Sequence, residues 1–278
     1  MMITLRETAL TLLLRPPDTL NQGVPTLHAP SDLPLALAAA LKALKAAAIT
    51  DQGVDYGALK HHPAYTDYHA LTGQLPTFDP TTLPDRAAAL AFWINLYNGL
   101  IIDGVMAFAI RRSVTEKMAG LGFFRRAAYT VGGQRLTPDD IEHGILRGNR
   151  KHPVLPGRQF RHGDPRLAWA VNPLDPRIHF ALNCASRSCP PIGAYDAARI
   201  DDQLTLATRN FIDAETEIDP TSGRVVISQI FRWYAPDFGG EAGVRAFLAA
   251  YLPEGDRKRA AATAKIAYRT YDWRLNTV

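Results

Sequence analysis

Between Ala87 and Ile110 the chain puts apolar residues on every side of a helix. Leu90, Ile94, Tyr97, Ile101, Val105 and Phe108 recur at spacings of three and four, and Phe92, Trp93, Leu100 and Ile102 fill the other faces. Such a helix must be enclosed by other elements, so it predicts a fold wrapped around one central rod. Asn95, Asn98 and Asp103 interrupt the run and favour a buried helix over a membrane span. Enclosed amides need partners, because each unsatisfied one costs about 1–3 kcal/mol.

The remaining pattern predicts an α+β protein, a helix-rich single domain with a small mixed or antiparallel sheet. Residues 2–15 and 32–50 read as helices separated by a proline-containing linker, which makes residues 1–50 a helical N-terminal extension and 51–278 the main domain. A hairpin is expected over residues 127–137 around Gly132-Gly133, and a helix follows Thr137-Pro138-Asp139-Asp140. Strands are expected at residues 167–171, 178–183, 224–228 and 265–273, with helices at 196–214 and 241–252.

Charge narrows the partners. Lys+Arg 31 against Asp+Glu 27 leaves a formal net charge of +4, and the basic clusters Arg111-Arg112, Arg125-Arg126 and Arg257-Lys258-Arg259 are short and scattered. That pattern fits solvated faces, so neither nucleic acid nor a membrane is expected as a partner. No phosphate-cradling glycine loop or nucleotide fingerprint is present, and no cofactor is expected. The first residues lack the layout of a secretory signal, which makes the cytoplasm the expected compartment, with reduced thiols.

Candidate chemistry concentrates between Asn172 and Tyr195, which hold both cysteines, Cys184 and Cys189, together with His179. If residues 178–183 form a strand, His179 and Cys184 fall on opposite faces roughly 16 Å apart, so a base for the thiol has to come from elsewhere. His143 is the preferred base. Glu142 lies about 100° round the same helix, and Asn95 or Asn98 is an equal candidate to orient the imidazole. Backbone amides of residues 185–188 are candidate oxyanion donors.

The first reading is therefore a cysteine-dependent hydrolase or acyl transferase acting on a small-molecule or peptide substrate. Its catalytic candidates are Cys184, His143, Glu142 and Asn95, and its binding candidates are His179, Asn98, Ser188, Cys189 and Trp93. A second reading is a zinc site built from Cys184, Cys189, His143 and His179. A third is a non-catalytic binding module with Trp93, Trp233, Tyr234 and Trp273 along a groove. His28, His61, His62, His69, His152 and His162 read as solvent-facing loop residues.

Four ordered blocks resemble one family: residues 91–98 (Ala-Phe-Trp-Ile-Asn-Leu-Tyr-Asn), residues 140–147 (Asp-Ile-Glu-His-Gly-Ile-Leu-Arg), residues 175–184 with Ser188-Cys189-Pro190-Pro191, and Trp233-Tyr234 with Asp237-Phe238. Together they resemble the domain of unknown function 547 family over about residues 56–276. As its name implies, this resemblance brings with it no activity, substrate or fold. The first 50 residues lie outside it.

Overall fold

Asp85 opens the central helix by accepting a hydrogen bond from the Ala88 amide at 2.8 Å, and the helix then runs Arg86–Ala107. The computed structural model describes residues 18–25, 32–50, 53–116 and 121–278. The helix expected over residues 2–15, much of the linker after it and His28 lie outside them. Arg86–Ala107 is long and apolar enough to cross a membrane, yet 89% of its most apolar window is buried inside the protein. Helix Leu33–Ala48 packs Leu33, Leu37, Leu41 and Leu44 into the same core as Leu90, Ile94, Tyr97 and Ile101.

Strands are short and fall into three small sheets among the described residues. β1 (Asp18–Thr19) runs parallel to β4 (Ala127–Val131), and β4 is antiparallel to β5 (Gln134–Leu136) across the expected Gly132-Gly133 turn. β2 (Ile49–Thr50) and β3 (Gly53–Val54) form an antiparallel pair. β6 (Glu217–Ile218), β7 (Val225–Ile227) and β8 (Ile266–Tyr268) form a mixed sheet, antiparallel between β6 and β7 and parallel between β7 and β8. The architecture is helix-rich α+β, as the pattern predicts.

Two of the expected strands are short 3-10 helices instead. Residues Pro165–Trp169 and Pro176–Phe180 each start at a proline, and the preceding aspartate caps each one by accepting from the backbone of an arginine. His179 and Cys184 therefore do not lie on opposite faces of one strand. Ile178 enters the core around the central helix, while Phe180 enters a second core with Phe211, Ile227, Phe231 and Leu248. His179 sits where the two cores meet.

Asp103, buried in the central helix, accepts hydrogen bonds from Tyr65 at 2.5 Å and Tyr129 at 2.9 Å, and His69 Nδ1 lies 3.4 Å from it. His69 is thus half-buried in helix Pro63–Thr72 rather than in a solvated loop. The Asp103 carboxylate beside it holds the imidazole above its ordinary range. Because the folded pKa is raised, the stabilisation is fully present below about pH 6.5 and fades as pH rises through the folded value. Urea midpoints of the wild type and His69→Ala should differ more at pH 6 than at pH 9; a gap that widens toward pH 9 would refute the pairing.

Candidate functional site: a cleft between the two cores

The segment after β5 does not form a regular α-helix. Residues Asp140–Leu146 form a π-helical turn, in which the Arg147 amide reaches back five residues to the Glu142 carbonyl at 2.9 Å. π-turns are frequent at functional sites because they re-aim side chains. Here both Glu142 and His143 reach a cavity of about 400 Å³. Gly144 makes room for a close neighbour, since a Cβ there would come within 2.2 Å of the Phe160 ring.

That cavity gathers side chains from distant segments: Tyr97 of the central helix, Asp139, Glu142 and His143 at the π-turn, His152 on the following loop, and His179, Cys184 and Cys189. Trp233, Tyr234, Tyr271 and Trp273 supply an aromatic wall. His152, expected in solvent, has a side chain only 8% exposed and stacks edge-on against His143 with ring centroids 4.1 Å apart.

Behind the wall lies a buried charged network that no local motif announces. Arg147 grips Asp237 through two bonds of 2.6 and 3.1 Å, and His179 Nε2 meets the same carboxylate at 3.0 Å. Burial alone would raise the Asp237 carboxyl, but bonds to His179 and Arg147 outweigh it and hold the pKa at about 2. The His179 ring stacks on Tyr234, with centroids 3.9 Å apart.

Arg147 also fixes the state of His143. Its Nη1 lies 3.0 Å from His143 Nδ1, and a guanidinium can only donate, so Nδ1 is the acceptor and the neutral ring carries its proton on Nε2. Burial, then the neighbouring His152 and Arg147, push the imidazole well below its ordinary range. The expected general base therefore has its lone pair occupied; what it presents is an N–H donor. Glu142 lies 3.8 Å from His143 Nδ1 and accepts instead from the Tyr234 hydroxyl at 2.5 Å.

The cysteines differ from the expected reduced thiols, since Cys184 and Cys189 are joined as a disulfide. Both line the cavity, with the Tyr271 hydroxyl 3.4 Å from Cys184 Sγ and 3.1 Å from Cys189 Sγ. Three of the four amides proposed as oxyanion donors are engaged elsewhere: Ala185 donates to Asn183 Oδ1, Arg187 to the Arg274 carbonyl and Ser188 to the Asp272 carbonyl. The Ser188 hydroxyl accepts from the Asp272 amide at 2.8 Å.

Asn95 and Asn98 do not orient His143. Asn95 clasps the backbone of Tyr195, and Asn98 holds Ala181 and Asn183. Trp93 is fully buried against Phe92 and Trp169 and is a core residue rather than a groove residue.

The expected zinc set is not assembled, because its two sulfurs are bonded to each other and His179 is committed to Asp237. Among the described residues a different trio, Asp139, His143 and His152, has ligand atoms within 4.8 Å of one another. Two guanidinium groups oppose a cation there. Arg125 Nε lies 3.0 Å from Asp139, and Arg147 keeps the proton of His143 on the nitrogen a metal would need.

Residues 80–212 match the family described as "Protein of unknown function, DUF547", as the motif blocks imply. The matched segment holds the central helix, the π-turn and both cysteines; the Trp233–Phe238 block lies beyond it. No curated protein and no solved structure matches the chain.

Proposed function

We propose that the cleft is a binding site for a small organic molecule. One observation carries this reading: side chains from segments more than 150 residues apart converge on a single cavity of about 400 Å³, with aromatic walls broken by a few directed polar groups. Ligand sites typically have that composition and size. Glu142 offers a strong acceptor, and His143 Nε2 offers a donor.

A cysteine-dependent acyl transfer in the same cleft is the second reading, favoured because Cys184 Sγ lines the cavity. It requires an external dithiol reductant to open the bond to Cys189 first, the reductant becoming a disulfide as Cys184 and Cys189 become thiols. The hydroxyls of Ser186 and Tyr271, at 3.3 and 3.4 Å, then face the thiol. Burial pushes the Tyr271 phenol up, so it serves as a donor to sulfur and not as a base.

The neutral dye N-phenyl-1-naphthylamine tests the binding reading. Its fluorescence should rise saturably on titration with the full chain, at one site per chain. Leu182→Trp, which fills the cavity, should weaken uptake at least about tenfold, and Trp233→Ala should also weaken it while the melting temperature stays close to wild type. Equal uptake by both variants would reject the cleft as the site.

A further inference from the structure

Resting on the cleft reading above, we propose that the cleft selects a cationic ligand, with an organic ammonium group seated between the Glu142 carboxylate and the aromatic rings of Trp233, Tyr271 and Trp273. Glu142 is held by neutral groups. Its bonded partners are phenols: Tyr234 donates at 2.5 Å, and Tyr97 is hydrogen-bonded to it as well. Burial first, and the Glu142 charge next, push both phenols well above their ordinary range, so they stay protonated and neutral. Neutral donors stabilise a carboxylate without cancelling its charge.

The basic groups nearby are committed in other directions. The Arg147 guanidinium lies behind the wall, gripping Asp237 twice, and its remaining nitrogen serves His143 and the Lys151 carbonyl. Arg125 pairs with Asp139. His143 lines the cavity as a neutral ring. The face turned toward a ligand is therefore negative, although the wider network is close to balanced. An anion entering the cleft meets repulsion that no lining arginine or lysine among the described residues relieves.

Aromatic faces complete the match. Trp233, Tyr271 and Trp273 pack with ring centroids 4.6 to 5.6 Å apart, and all three are only partly covered. A cation over such rings is attracted by their quadrupoles, and the fold already uses that contact where Arg147 lies 5.0 Å from the centre of the Tyr234 ring. Carboxylate and rings together favour a cation with an apolar body over a metal ion or a neutral molecule of the same shape.

Three probes of nearly one shape separate the charge argument from the cleft itself: benzylammonium, benzyl alcohol and benzoate, followed by calorimetry and by quenching of tryptophan fluorescence. Benzylammonium should bind at least about tenfold tighter than benzyl alcohol, with benzoate weakest. Glu142→Gln, which keeps an acceptor for Tyr234, should erase that preference by lowering benzylammonium affinity far more than benzyl alcohol affinity; Trp233→Leu should also lower benzylammonium affinity more than benzyl alcohol affinity. Benzyl alcohol binding as tightly as benzylammonium, or a preference that survives Glu142→Gln, would overturn the cation proposal while dye uptake still upholds the cleft. Failure of all three probes to bind overturns it too, and the dye titration then decides the cleft separately.

Discussion

Asp237→Ala should lower stability by about 3–5 kcal/mol, a melting point drop on the order of 10 °C, measured by thermal and urea unfolding. Arg147 and Asp237 have side chains only 3% and 1% exposed, so the variant strands a guanidinium where water does not reach. Most of the loss comes from that stranded charge and little from the attraction itself. Arg147→Met combined with Asp237→Leu should therefore recover most of the stability that Asp237→Ala loses. A double variant as unstable as the single one would show that the network is required as such.

The same carboxylate sets an acid limit. With a folded pKa of about 2, below the ordinary 3.9 or so, Asp237 contributes stability that is present above the unfolded value and is lost as pH falls toward 2. In Asp237→Asn that part of the acid titration should disappear. The variant should also loosen Arg147 and free His143 Nδ1, which nitrogen chemical shifts of the imidazole would report as a mixture of tautomers.

How much of this was readable follows from where each signal lives. The central helix was legible because its apolar residues cover all faces, a pattern that leaves one structural solution. The hairpin was legible because Gly132 and Gly133 both adopt positive φ, as its turn requires. The stretch from Ile178 was misread because Ile178, Phe180 and Leu182 alternate as in a strand, yet two cores on either side of a 3-10 turn produce the same alternation. A clue stood just upstream. Asp164-Pro165-Arg166 and Asp175-Pro176-Arg177 repeat one motif, and in both the aspartate caps the backbone while binding the arginine side chain.

Within the site, Glu142 and His143 were legible as an odd pair for a plain helix face, and Cys184 and Cys189 as the chain's two cysteines in a turn-forming stretch. Their roles were not. Arg147 lies only four positions from His143, but the Asp237 carboxylate that holds its guanidinium is 90 positions away and meets it only after folding. His152 sits in a Pro- and Gly-rich loop whose composition suggests solvent, and packing against His143 overrides it.

Asn98→Ala should be the most damaging change that touches neither the cavity nor the charged network. Sequence reasoning required buried partners for this amide, and the partners turn out to be backbone. Its Nδ2 donates to Ala181 O at 3.0 Å, and its Oδ1 accepts from the Asn183 amide at 2.9 Å. Asn183 carries the support onward, accepting from Ala185 at 2.8 Å and donating to Pro190 at 2.6 Å. Ala185 has φ 63, a left-handed conformation that costs a non-glycine residue energy and persists only if its neighbours hold it. Removing the amide leaves a buried N–H and a buried carbonyl unpaired, at about 1–3 kcal/mol each. The disulfide-bearing segment should then open locally before the rest of the fold. Hydrogen exchange at the Asn183 amide should quicken by about a hundredfold, well beyond the change at Ile94 in the same helix. Uniform quickening at both positions would mean that Asn98 supports the whole core rather than this one segment.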